Sequence, residues 1–242
     1  MSQSRMSRTG WIPGLGVAAS LLVVPPARAH GHLQSSPIAL THDDQRLLCV
    51  NPESRSVSVF DVSAPAPVKL AEIRVGREPS SVVVQPDDAR AFVTNALDGT
   101  VVIVDLATLK KKGKIRVGVE PTAAAMSPNG TRLYVANASS NSVSVIDATL
   151  LKPVVVATVD LSAFGSSPRA IAVSDDGDGD DTDETVFVPL FFAGLAPGKT
   201  SVQEGQDDQR EGRVVAFGAV SYTPLGAPNP VALAPMVVSG FN

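Results

Sequence analysis

The chain aligns with itself. Segments 36–76, 77–118 and 119–165 superimpose almost without gaps, and the prolines near their starts, Pro37, Pro79 and Pro121, stand 42 and 42 residues apart. After each proline comes an apolar stretch and then a polar turn, Thr41-His42-Asp43-Asp44, Gln85-Pro86-Asp87-Asp88 or Ser127-Pro128-Asn129-Gly130. Leu48-Cys49-Val50-Asn51, Phe92-Val93-Thr94-Asn95 and Tyr134-Val135-Ala136-Asn137 follow in matched places. Beyond a second turn lie Val57 to Asp61, Val101 to Asp105 and Val143 to Asp147, and the repeats close on segments such as Glu72 to Gly76 and Lys114 to Gly118. Val and Ile dominate the runs, and Asn, Asp, Gly and Pro dominate the breaks, so each repeat predicts four short strands. Four strands in a repeat of this length make a propeller blade. A blade cannot bury both faces alone and must stack against its neighbours. The expected fold is therefore all-β, a partial β-propeller of about four four-stranded blades.

The fourth repeat, 166–242, is irregular. Pro168 to Val173 restarts the pattern, Thr185 to Val188 supplies a second strand, Arg213 to Phe217 a third and Pro230 to Val238 a last. An acidic insert separates its first two strands, and a polar insert, Gly194 to Gly212, separates the next two. Loops of this length are usually functional or mobile rather than padding.

Residues 1–29 are a different kind of segment. Arg5 and Arg8 precede an apolar run from Trp11 to Val24, then Pro25-Pro26 and Ala27-Arg28-Ala29. Basic start, apolar middle and small-residue end predict a secretory signal peptide cleaved after Ala29. The apolar run is shorter than the roughly 20 residues a spanning helix needs, so no stable membrane span is expected after cleavage. Residues 30–35 form a short N-terminal segment before the blades. Residues 1–29 hold three arginines and no acid, leaving 17 basic and 24 acidic side chains, a net charge of −7, in the rest. That balance disfavours nucleic acid as a partner. Cys49 is the single cysteine, so no intramolecular disulfide forms.

The Phe92-Val93-Thr94-Asn95 segment, with the proline–turn–strand–Asp pattern around it, resembles the YVTN family of β-propeller repeats, well over 36–165 and loosely over 166–242. The resemblance implies a seven-bladed propeller exported to the periplasm or the cell surface; some similar propellers are lactonases. Seven blades at this period need about 294 residues, more than follow the leader. Either the chain is an arc of a larger propeller, the favoured reading, or four blades close alone, or copies assemble. An open arc exposes blade faces that favour self-association.

The acidic insert, Asp175 to Glu184, has seven acids in ten residues. Crowded carboxylates repel unless a cation neutralises them, and hard oxygen ligands suit calcium. Asp176, Asp178, Asp180 and Asp183 are the candidate ligands, although the run fails the EF-hand template at its sixth and twelfth places, Asp181 and Phe187. A solvated acidic loop is the plainer reading. Cleavage after Ala29 would expose His30-Gly31-His32, whose amine, amides and third-position imidazole offer a planar nitrogen set for Cu(II) or Ni(II); a frayed terminus without metal is the alternative. No histidine occurs after His42, so a Ser-His-Asp triad would have to borrow one from the N-terminal segment, and a propeller copper cluster built on many histidines is excluded. Covalent c-type haem needs Cys-x-x-Cys-His, which the chain lacks.

Cys49 aligns with Val93 and Val135 and is expected to be a buried strand residue. Asn51, Asn95, Asn137, Asp61, Asp105 and Asp147 recur in every blade, which favours turn roles over catalysis. Lys110, Lys111, Lys112 and Lys114 form a basic patch, either solvated or a polyanion contact. The polar run Gly205 to Gly212 shows no catalytic spacing, yet with the acidic insert it offers two long loops on one blade. The favoured function is a non-catalytic binding or scaffold module that engages a protein or small-molecule ligand through the fourth-blade loops. A lactonase-like hydrolase at the channel mouth and a structural surface-layer protein are the alternatives. Against catalysis, the expected inner strands read Val82-Val83-Val84 and Ala123-Ala124-Ala125.

Overall fold

The computed structural model describes residues 35–195, 210–225 and 231–233. The expected signal peptide, His30 and His32 lie outside the described residues. Three antiparallel sheets repeat one plan: β1 (Ile38–Leu40), β2 (Arg46–Asn51), β3 (Ser56–Asp61) and β4 (Val68–Arg74); β5 (Pro79–Val84), β6 (Arg90–Asn95), β7 (Thr100–Asp105) and β8 (Lys110–Arg116); β9 (Pro121–Met126), β10 (Arg132–Asn137), β11 (Ser142–Asp147) and β12 (Val154–Asp160). In the fourth, β13 (Ser166–Pro168) and β14 (Ala172–Val173) both pair with β15 (Thr185–Leu195), followed by β16 (Arg210–Gly218) and β17 (Val231–Leu233). This is the expected partial propeller. Its fourth blade departs from expectation in two respects: the expected first strand, Pro168 to Val173, is split into β13 and β14, and the polar insert is shorter. β15 and β16 pair as far as Leu195 and Arg210, so both ends of the expected polar insert are strand rather than loop.

Period-2 alternation sorts each strand's side chains onto two faces, and the stacked faces make the core. Leu48, Val57 and Val59 of the first blade meet Val82, Val93, Val102 and Val104 of the second. Phe92, Val101 and Ile103 then meet Ala124, Leu133 and Ile146, and Tyr134, Val143 and Val145 meet Val186, Val188, Val215 and Phe217. Fully burying one such side chain is worth about 1.5–3 kcal/mol. The outermost strands β4, β8 and β12 are mostly exposed. Cys49 does lie in a strand, but it is half-buried rather than buried. It sits on the face of the first blade that has no blade against it among the described residues, together with the exposed Ile38 and Leu40.

Polar seams join the blades at both ends. Arg46 donates to the Leu106 carbonyl at 2.5 Å, Arg90 to those of Ala148 and Leu150, and Arg132 to the Tyr222 hydroxyl at 3.1 Å. Each arginine opens the second strand of its blade and faces Asp61, Asp105 or Asp147 across the ladder. At the other end, the Ser80 hydroxyl donates to the Pro121 carbonyl at 3.0 Å and the Thr122 hydroxyl to that of Pro168 at 3.2 Å. The Asn137 amide nitrogen donates within its own blade, to the Ser142 carbonyl at 3.3 Å and to the Ser144 hydroxyl at 3.0 Å. Gly118, between blades, packs so closely that an added Cβ would stand 2.6 Å from the Asn137 Cγ, and Gly76 repeats this against Asn95. Only glycine admits that approach.

Candidate functional site: the fourth-blade acidic loop

The loop is an enlarged version of a turn that the other blades keep short. Between first and second strands, blades one to three make the same tight turn. The N–H of Asp44, Asp88 or Gly130 returns to the carbonyl of Thr41, Gln85 or Ser127, and that residue takes a left-handed φ of 56°, 54° or 74°. The preceding Asp43, Asp87 or Asn129 accepts the N–H two residues on at 2.9–3.0 Å. In blade four the flanking pair survives, since the Ser174 N–H reaches the Thr185 carbonyl at 2.9 Å, but residues 175–184 now lie between them.

Two buried carboxylates fasten this loop. Asp181 is 3% exposed and accepts the backbone N–H of Asn129 at 3.2 Å and the hydroxyl of Thr131 at 3.1 Å, both from the blade-three turn. Glu184, also 3% exposed, accepts the Ser174 hydroxyl and the Asp176 N–H. Between these anchors the chain makes a run of side-chain-capped turns. Asp175 accepts the Gly177 N–H, Asp176 that of Asp178, Asp178 that of Asp180, and Asp180 that of Thr182, at 2.6–3.1 Å. Gly177, at φ 89° with open space around it, permits the tight reversal that repeats these caps.

Asp176, Asp178 and Asp183 are exposed, and one oxygen of each lies within 4.8 Å of the others; Asp175, Asp176 and Glu184 form a second such group. Asp180 belongs to neither group among the described residues. Three carboxylates at that spacing can hold a hard cation with water completing the shell. Sequence reasoning missed Asp181 and Glu184 as anchors, because seven neighbouring acids look alike until their partners are known.

The other recurrent residues have structural partners. Asp61 accepts the N–H and hydroxyl of Ser63, Asp105 those of Thr108, and Asp147 those of Thr149, at 2.6–3.0 Å. The hydroxyl bonds hold all three carboxyls below their ordinary range. Burial pushes the Tyr134 hydroxyl up, and that group donates to the Ala219 carbonyl at 2.7 Å. The expected inner strands β5 and β9 place apolar side chains on both faces. Among the described residues no helix is long and apolar enough to cross a membrane.

No family model matches the chain, and no curated protein matches it by sequence. Solved structures do match it. Hydrazine synthase of Kuenenia stuttgartiensis aligns over 90% of this chain and 53% of its own, with a TM-score of 0.63 and 24% identity. A 6-phosphogluconolactonase-like protein from Bacteroides uniformis aligns over 83% and 55%, at TM-score 0.59 and 13% identity. A protein from Lactobacillus plantarum aligns over 83% and 56%, at TM-score 0.57 and 20% identity. The chain thus spans about half the length of these structures. At such identities the likeness concerns the fold alone, and the fold it supports is the β-propeller.

Proposed function

We propose that the chain is an exported repeat protein of the YVTN type, acting in the periplasm or at the cell surface as a non-catalytic binding module. Its fourth-blade loops are the contact surface, and calcium is the cation that stiffens the acidic one. The observation that carries this reading is the division of labour within the loop. Asp181 and Glu184 are spent on fastening it, while Asp176, Asp178 and Asp183 converge on its exposed crest.

Calcium titration of chelator-treated protein tests the reading. A bound cation stabilises the fold by about 2.7 kcal/mol when it stands at about a hundred times its Kd. The combined substitution Asp176→Asn, Asp178→Asn and Asp183→Asn should abolish that gain without lowering the calcium-free midpoint. A calcium-independent midpoint in the unaltered protein refutes the cation's role. Mass measurement of the secreted form tests export: a mature chain starting at His30 is expected, and a band on copper titration of that form would add the His30–His32 site.

The likeness to 6-phosphogluconolactonase-type structures supports a second reading, lactone hydrolysis at the channel mouth. Acid release from a panel of sugar lactones, above the spontaneous rate, would favour it over the binding module.

A further inference from the structure

The acidic balance of the chain conceals a concentrated patch of the opposite sign. Two adjoining depressions of about 410 and 310 Å³ lie between the first and second blades and share Val75, Arg77, Asp98 and Lys111. Arg55, Lys114 and Arg116 complete the cationic lining, so five cations face a single carboxylate. All five are exposed.

The backbone builds this arrangement. In β8 the pairing with β7 shifts register between Ile103 and Val104, so that Val102 faces Lys114 and Val104 faces Lys111. Side chains directly opposite in a ladder share a face. The bulge therefore turns Lys111 to the same side as Lys114 and Arg116, where Val102 and Val104 pack on the first blade. Without the extra residue, Lys111 would point to the opposite side. Across the gap, Arg55 and Arg77 come from the turns beside β4; Arg74, which ends that strand, lies opposite Ser56 in the ladder and turns to the face away from Val57 and the second blade.

The one carboxylate is already engaged. Asp98 accepts the Arg77 backbone N–H at 2.8 Å and its Nε at 2.6 Å, and these bonds hold its carboxyl below the ordinary range. Lys111 donates to the uncharged Val75 carbonyl at 3.1 Å. Arg55, Lys114 and Arg116 have no ion pair among the described residues. Clustered like charges repel, and guanidinium forks match the oxygens of phosphate and sulfate in bidentate fashion.

We infer that this groove between the first two blades is a binding site for a ligand carrying several clustered phosphate or sulfate groups. It lies on other blades than the acidic loop and has the opposite charge, so it stands or falls independently of the calcium reading.

Calorimetric titration of the full chain with sodium tripolyphosphate at low ionic strength tests the inference. One saturable site is expected, weakening as salt rises. Lys111→Gln with Arg116→Gln, and separately Lys114→Gln, should weaken binding at least about tenfold, the factor that the loss of about 1.4 kcal/mol gives. Lys152→Gln, in the neighbouring groove between blades two and three, should bind as the unaltered protein does. Matching unfolding midpoints would show that the variants fold. Absence of saturable binding overturns the inference, as does wild-type affinity in the double variant or an equal loss in Lys152→Gln. Sedimentation in the same buffer supplies a further check. Self-association abolished both by the double variant and by Asp176→Asn with Asp178→Asn would assign the groove to the acidic loop of a second copy, and would also overturn it.

Discussion

The turn at 85–90 in the second blade and the loop at 174–185 in the fourth occupy the same place and perform the same docking step at different lengths. In the short turn Asp88 reaches back to the first blade and accepts the backbone N–H groups of His42 and Asp43 at 2.8 and 3.0 Å, with the His42 ring beside it. In the long one Asp181 reaches back to the third blade and takes Asn129 and Thr131. The docking carboxylate is retained while the loop around it grows. What differs is burial: Asp88 is half-buried, whereas Asp181 is buried. Extra residues bury the anchor and leave Asp176, Asp178 and Asp183 exposed.

Removal of the two anchors should give unequal losses. Asp181→Ala strips two donors of a buried charged acceptor and should cost about 2–3 kcal/mol in urea unfolding, against about 1 kcal/mol for Asp88→Ala, whose donors remain closer to water. Equal losses would mean that burial of the loop anchor contributes nothing. A graft sharpens the comparison. Replacing residues 175–184 by Pro86-Asp87-Asp88-Ala89 supplies the short-turn anchor at the same seam. Stability should return to within about 1 kcal/mol of the parent, since a shorter loop closes at lower entropic cost. Any calcium response should vanish with the loop. A graft as unstable as Asp181→Ala would show that the loop makes contacts beyond its anchor.

The blades were legible in the sequence because their signals are local: alternating valines, Asn and Asp at turns, and a proline at each start. The residues that join blades were not. Arg46 and Arg90 recur at matched places, yet Leu106 and Ala148 lie 60 and 58 residues further along and accept through backbone carbonyls, which carry no side-chain signature. Cys49 shows the same limit. It shares its strand position with the buried Val93, and only the neighbour stacked on each face decides how much of either is covered. The register shift that aims Lys111 is likewise a property of paired strands, invisible in Lys110-Lys111-Lys112 read alone.

The smallest expected effect concerns acid, and it again separates the fourth blade from the rest. In the first three blades an arginine faces an aspartate across the ladder, Arg46 with Asp61, Arg90 with Asp105 and Arg132 with Asp147; in the fourth the corresponding pair is Thr185 with Gly218. The three aspartates are held below the ordinary carboxylate range, chiefly by the hydroxyls of Ser63, Thr108 and Thr149. A carboxyl with a lowered folded-state pKa gives its stabilisation in full above its unfolded value, about 3.9, and loses it as pH falls through the folded value. Stability should therefore be insensitive to these groups from neutrality down to about pH 5, and the loss should begin below about pH 4. The turn after β16 is closed by the Ser221 hydroxyl on the Thr223 N–H, a pair with nothing to titrate in that range. Amide exchange compared at pH 7 and pH 3, corrected for intrinsic rates, should thus show Ser63, Thr108 and Thr149 losing protection while Thr223 keeps what it has. Uniform loss across all four turns would mean that acid acts on the whole stack rather than on the carboxylates of the first three blades.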